Sequence, residues 1–283
     1  MTVFHKVKKT WIETGPIGLL KSTASSVNDR IKILGNRLHR WFFYTNWPAG
    51  KLVEWRGNKG FIGGMEFDLS NPHIATFLKG RFLFNTFEPG THELIRKYLN
   101  PDLPVVEIGG CIGVSACLSN RKLRNSQNHI VVEAQPNMLE TLRKNRNTNQ
   151  CDFEIIHAAL AYGTDEVDFW ISPRYFIGSS LKAREGGKTV SVPTITLEKI
   201  IKDNNFSRIS LLVDIEGAET ELIKHEFKLM EQHVDTLIIE FHPQEWGAGA
   251  DAIRKTKEQL KNSGFRMIER LYGDHVYKNN RFS

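Results

Sequence analysis

Cysteine is sparse in this sequence: 283 residues hold only Cys111, Cys117 and Cys151. Three thiols cannot close a disulfide framework without one left over. Cys111 and Cys117 also lack the spacing of a metal knuckle and have no histidine pair nearby. Reduced thiols in a cytoplasmic protein are the expectation. Long apolar runs are missing too, since no segment approaches the ~18 residues that cross a bilayer. The start has no apolar signal core: residues 1–9 are short and basic, and 11–20 are broken by Glu13, Gly15 and Pro16. Acids are scarce early on. Glu13, Asp29 and Glu54 face eleven Lys and Arg in the first sixty residues, a balance of +8 against +6 for the whole chain. The remainder is therefore slightly acidic, which counts against a nucleic-acid cleft spread over the protein.

What is present is an ordinary globular composition, 40% hydrophobic and 25% charged. Residues 1–50 read as a basic N-terminal α+β extension, with a helix over 27–41 and an aromatic knot (Trp41, Phe42, Phe43, Tyr44) closing on Trp47-Pro48. Residues 51–283 read as one domain. It opens with a small β meander over 51–70, built from 52–55 and 61–69. Helical segments follow at 71–79 and 91–99, and a nucleoside-binding core begins near residue 100. In that core, strands at 105–108, 129–133, 153–159, 209–214 and 234–241 alternate with helices at 112–121, 136–147, 196–202, 218–225 and 250–262. Accessory strands are expected at 167–171 and 189–192, and two final strands at 265–271 and 275–277. Apolar β-branched strands alternating with helices predict an α/β fold with a doubly wound, mostly parallel sheet.

The strand Val105-Val106-Glu107-Ile108 runs into Gly109-Gly110-Cys111-Ile112-Gly113 and then a helix. Glycines at such a strand end let backbone approach a ligand, and Glu133, closing the next strand, is placed to accept from two ribose hydroxyls. A dinucleotide site requires G-x-G-x-x-G, but Ser115 breaks that spacing, and Glu107 would repel a pyrophosphate. An acid there suits a cation, so S-adenosylmethionine fits better than a dinucleotide.

A second set of acids closes two later strands: Asp214, Glu216 and Glu219 in Asp214-Ile215-Glu216-Gly217-Ala218-Glu219, and Glu240 in Glu240-Phe241-His242-Pro243. A doubly wound sheet brings both ends to the edge that carries the glycine loop. Alcohol methylation requires a general base or a metal that acidifies the hydroxyl. His242 suits the base. Alternatively, Asp214, Glu240 and His242 form a ligand set for Mg²⁺ or a related divalent cation. Glu219 reads equally well as a capping carboxylate in a first helical turn.

Together these residues resemble the FkbM family of class I S-adenosylmethionine-dependent methyltransferases, which have a Rossmann-like fold. The resemblance runs over about residues 60–270. It rests on Glu107–Gly113, Glu133, the D-I-E-G-A-E segment, Glu240-Phe241-His242, Thr86-Phe87-Glu88-Pro89 upstream, and Gly178-Ser179-Ser180-Leu181. The chain departs from the family pattern at Glu107 (usually Asp), at Gly110-Cys111 (usually Ala-Asn), at Ala134-Gln135 within the E-P-N-P segment, and at Leu212 (often Lys). The resemblance implies methyl transfer to oxygen on a sugar, glycan or secondary metabolite. It implies cofactor contacts at Glu88, Glu107, Gly109, Gly110, Gly113, Glu133 and Ala159, and a loop over the acceptor carrying Ser179 and Ser180. Asp214, Glu216 and His242 would position and deprotonate the hydroxyl.

The rival readings are a nucleic-acid or protein methyltransferase, and a catalytically weak S-adenosylmethionine-binding protein at a membrane surface. Family resemblance to base-amine methyltransferases calls for N-P-P-Y where this chain has D-I-E-G, and acids at that edge repel phosphates. Nucleic acid is therefore disfavoured as a partner. The basic residues 1–50 and their aromatics suit peripheral membrane contact.

Overall fold

The computed structural model describes residues 46–172, 187–242 and 249–282. The helix expected over 27–41, the knot at 41–44, and Ser179 and Ser180 lie outside the described residues. The first described helix, α1 (Trp47–Trp55), corrects the expected meander, because Leu52-Val53-Glu54-Trp55 is helical rather than extended. Pro48 suits a first helical turn, where its missing N–H costs nothing. Lys51 then bonds Glu54 three residues on at 2.7 Å, and Gly50 and Val53 turn inward. The β structure is confined to a hairpin, β1 (Lys59–Ile62) with β2 (Met65–Asp68), turned by Gly63 and Gly64. Helices α2 (Thr76–Leu83) and α3 (Pro89–Tyr98) lead into the core.

From β3 (Val105–Ile108) the chain alternates through α4 (Val114–Lys122), β4 (His129–Glu133), α5 (Pro136–Thr148) and β5 (Glu154–His157). Short β6 (Ala159–Leu160), β7 (Glu166–Ile171) and β8 (Lys188–Ile195) form a three-stranded sheet of their own. The strand expected over 153–159 thus breaks at Ala158. Its first half pairs with β4, and Ala159 and Leu160 leave the edge to pair with Thr194 and Ile195. After α6 (Leu197–Asp203) come β9 (Ile209–Val213), α7 (Glu219–His233), β10 (Val234–Glu240), α8 (Gly249–Asn262), β11 (Phe265–Leu271) and β12 (Asp274–Asn279).

The main sheet has the order β11-β12-β10-β9-β3-β4-β5. Five strands are parallel, and β12 runs antiparallel between β10 and β11. Every residue of β3, β4 and β9 is buried, as strands covered by helices on both faces must be. The order reverses between β3 and β9, and a ligand crevice opens at such a switch point. Helix α7 runs eight residues beyond the expected 225, through non-helical backbone at Glu226. There the buried Glu226 carboxylate accepts the N–H groups of Leu197 and Glu198, both at 2.9 Å, and so anchors the start of α6. All three cysteines are free, with Cys117 and Cys151 buried. Among the described residues, no helix is long and apolar enough to cross a membrane.

Candidate active site

The crevice is built on the glycine loop after β3. Gly109 has φ +99°, and a Cβ there would lie 1.8 Å from the Asp214 carbonyl oxygen, so no side chain fits where the two strand ends touch. Gly113 has φ +86° at the start of α4, with Leu142 filling its Cβ position. Gly110 is pressed against Val131. Between them Cys111 adopts φ +48°, and its N–H donates to Glu133 Oε2 at 2.6 Å. Glu133 Oε1 accepts the Gln135 N–H at 2.6 Å. Burial pushes the Glu133 carboxyl above its usual range, against the pull of these backbone donors. Glu133 therefore holds the loop as well as facing the crevice.

The lining of that crevice includes Gly109, Glu133, Ala159, Phe169, Asp214 and Glu216. The small side chains of Ala158 and Ala159 leave room where the chain departs the sheet edge. Gln135, 3% exposed, also lines it, and its Nε2 has no hydrogen-bond partner. Sequence reasoning passed over Gln135, noting only that its segment departs from E-P-N-P.

Beside the glycine loop lies a smaller chamber, lined by Glu88, Thr91, Glu107, Ser115, Glu240 and Asp274 among others. Glu107 is 2% exposed. Its Oε1 accepts from the Ser115 hydroxyl at 2.6 Å. Its Oε2 has no hydrogen-bond partner and lies 3.7 Å from His129 Nε2. Glu88 starts α3 at φ +42°. Burial and the charges of Glu240, Asp274 and Glu107 push its carboxyl up to about 8. Burial likewise raises Glu240 to about 7, with the His242 charge opposing. Asp274 was not anticipated from sequence. Antiparallel β12 sets it opposite Glu240, and the Thr91 hydroxyl donates to it at 2.9 Å.

His242 lies beside Asp214, which lines both spaces. Its Nδ1 bonds Glu219 Oε1 at 2.7 Å, while Nε2 lies 3.6 Å from Asp214 and 3.8 Å from Glu216. Burial lowers its basicity, but the Glu219 bond and the Asp214 and Glu216 charges more than reverse this and raise it to about 10. The ring therefore holds its proton tightly, and a general base must release it before it can act. Burial and the Glu240 charge push the Asp214 carboxyl well above its ordinary value. Its side chain keeps 43% of its surface at the crevice mouth, while that of Glu219 keeps 1%. Glu216 adopts φ +50° ahead of Gly217, whose N–H donates to Glu219 at 3.0 Å. Glu219 caps no N–H of the helix; it ties down the turn before α7 and holds the histidine. The expected metal trio also comes together: one ligand atom each from Asp214, Glu240 and His242 lies within 4.8 Å of the others.

A doubly wound sheet with a glycine-bound crevice at its switch point defines a Rossmann-like fold. The profile of the methyltransferase FkbM domain matches residues 107–267, more than half of the chain. The protein belongs to this family, which implies S-adenosylmethionine as methyl donor. Solved structures of similar shape include a protein of the NADB-Rossmann superfamily from Streptococcus agalactiae, with 12% identity and a TM-score of 0.41, covering 67% of each chain. A protein from Klebsiella pneumoniae provisionally described as an O-methyltransferase has 12% identity and a TM-score of 0.43, covering 67% of this chain and 78% of its own. A tRNA m1G37 methyltransferase from M. jannaschii has 11% identity and a TM-score of 0.41, covering 78% of this chain and 54% of its own. None of the curated proteins matches the chain.

Proposed function

We propose that this methyltransferase acts on a hydroxyl oxygen of a neutral sugar, glycan or secondary metabolite. The observation that carries the reading is the Glu219–His242 pair, with Nε2 turned toward Asp214 and Glu216 at the crevice mouth. An alcohol must lose a proton as it is methylated, and a histidine oriented by a buried carboxylate suits that task. Carboxylates at the mouth favour an uncharged acceptor over a polyanion.

S-adenosylmethionine fits the residues present. Two buried polar atoms without partners, Gln135 Nε2 and Glu107 Oε2, offer a donor in the larger space and an anion in the smaller one. Glu133, Gly109, Gly110, Gly113 and Ala159 would hold the nucleoside part. Glu88 and Glu107 would hold the amino-acid part. Bound there, the cofactor supplies an electrophilic methyl group. Nε2 of His242, which faces Asp214 and Glu216, would take the proton of the acceptor hydroxyl once the imidazole is neutral. Glu219 then steadies the imidazolium, and Asp214 and Glu216 position the hydroxyl.

The deciding experiment incubates the protein with methyl-labelled S-adenosylmethionine and separate pools of neutral glycans, small alcohols, RNA and protein. Alkali-stable label on a hydroxyl compound supports the reading, and label confined to RNA or protein overturns it. A divalent cation held by Asp214, Glu240 and His242 is the rival arrangement. Calorimetric titration of the protein with Mg²⁺ or Mn²⁺, and assays in chelator, distinguish the two. Full activity in chelator removes the cation.

A further inference from the structure

Helix α1 carries apolar residues on its outward face as well as its inward one, unlike an ordinary surface helix. Gly50 and Val53 point inward, and Gly50 sits so close to α2 that a Cβ would fall 1.7 Å from the Thr76 carbonyl oxygen. The opposite face presents Trp47 at 57%, Leu52 at 36% and Trp55 at 81% exposure, with Pro48 also exposed. Two largely exposed tryptophans on nine residues mark a binding surface rather than scattered apolar exposure. Beyond the helix, Phe61 is 57% exposed on the outward side of β1, the side that Lys59 shares.

Basic residues outnumber acids around this face. Lys51 sits 5.3 Å over the Trp47 ring, and Arg56 and Lys59 are exposed just beyond. Two acids lie beside it: Glu54 is held by Lys51, the Thr76 hydroxyl and Lys79, and Glu66 pairs with Lys59 at 2.8 Å.

We propose that the outward face of α1, with Arg56 and Lys59, docks the protein onto an anionic lipid bilayer. Tryptophan settles at the bilayer interface with its ring among acyl chains and its N–H near headgroups, and lysine and arginine reach back to lipid phosphates. An aromatic face ringed by basic residues is the pattern of a helix lying in that plane. The chain's own residues 1–45 are a poor occupant, because their eight Lys and Arg against two acids give them the same sign as the face. That basic stretch adds to the attraction for anionic lipid instead. Single-stranded nucleic acid would stack on the tryptophans but would leave Pro48 and Leu52 without partners of their own kind. This inference is independent of the acceptor and of the role assigned to His242.

The test is flotation of the full-length protein with phosphatidylcholine vesicles, with and without phosphatidylglycerol. The wild type should float with phosphatidylglycerol vesicles and release in high salt. The exposed-site variants Trp47→Ser/Trp55→Ser and Lys51→Gln/Arg56→Gln should each bind about tenfold more weakly or less, with thermal unfolding and S-adenosylmethionine affinity unchanged. Binding equal to wild type in both variants overturns the proposal and assigns any lipid affinity to residues 1–45. Failure of the wild type to distinguish the two vesicle types also overturns it. So does loss, in the tryptophan variant, of self-association by light scattering or of RNA binding without any vesicle binding by the wild type.

Discussion

His242 Nδ1 and Glu219 Oε1 lie 2.7 Å apart, and the carboxylate is 1% exposed. A buried acid in the first turn of α7 thus fixes the ring that follows β10, so Nε2 faces Asp214 and Glu216. Replacing His242 with Ala should lower turnover about 10²–10⁴-fold, the range of a positioned acid–base group. Glu219→Gln should lower it less and shift the ascending limb of the pH–rate profile, where the histidine loses its proton, to lower pH. Affinity for S-adenosylmethionine, read by calorimetry, should change little in either. Unaltered turnover in His242→Ala would remove the histidine from the chemistry.

Glu107 keeps one buried oxygen without a hydrogen-bond partner in the smaller chamber. If that oxygen meets the positive end of the cofactor, Glu107→Gln removes a charge-assisted hydrogen bond of roughly 1.5–3 kcal/mol. The expected result is about 10–100-fold weaker binding of S-adenosylmethionine, measured on the protein alone. Sinefungin, which carries an amine in place of the sulfonium, should weaken in parallel.

The Glu88 carboxyl is raised from 4.5 to about 8. Its folded form binds the proton more tightly than the unfolded chain, so its contribution to stability is fully present below pH 4.5. That contribution declines as pH rises toward 8. Glu88→Gln should therefore gain on the wild type as pH rises from 4.5 to 8. A thermal shift of at least ~2 °C in its favour at pH 8 is expected, about what 1 kcal/mol produces in a domain of this size. Parallel melting curves across that window would refute the assignment.

Gly109 combines φ +99° with a Cβ position 1.8 Å from the Asp214 carbonyl oxygen. Gly109→Ala must part the ends of β3 and β9, at a cost of at least ~2 kcal/mol from backbone strain and the clash together. Urea denaturation should show this loss. Gly57→Ala has open space around it and a similar positive φ, so it should pay the conformational term alone.

Some of this architecture was written locally. The Val105–Ile108 and Ile209–Val213 strands are apolar throughout because helices cover both faces, and that pattern needs no partner to be read. The acids at 214, 216 and 240 and His242 were legible for a similar reason: each directly follows or ends a parallel strand, and parallel strands deliver their ends to one edge. Where local pattern misled, a tertiary surface had decided the matter. Leu52–Trp55 alternates like a strand, but Gly50 and Val53 dock on α2 and draw the segment into a helix with its tryptophans outward.

The sequence by itself determined the strand–helix order, the glycine turn at the switch point and the family, since these depend on residue type and spacing along the chain. Only the tertiary structure decided that Asp274 stands opposite Glu240, that Glu219 belongs to His242, and that Glu107 keeps an oxygen free. The first two join residues 34 and 23 positions apart, across a strand pairing and a helix start. Their protonation follows from the same packing, because burial and like charges at short range, not residue identity, set how tightly each carboxyl holds its proton.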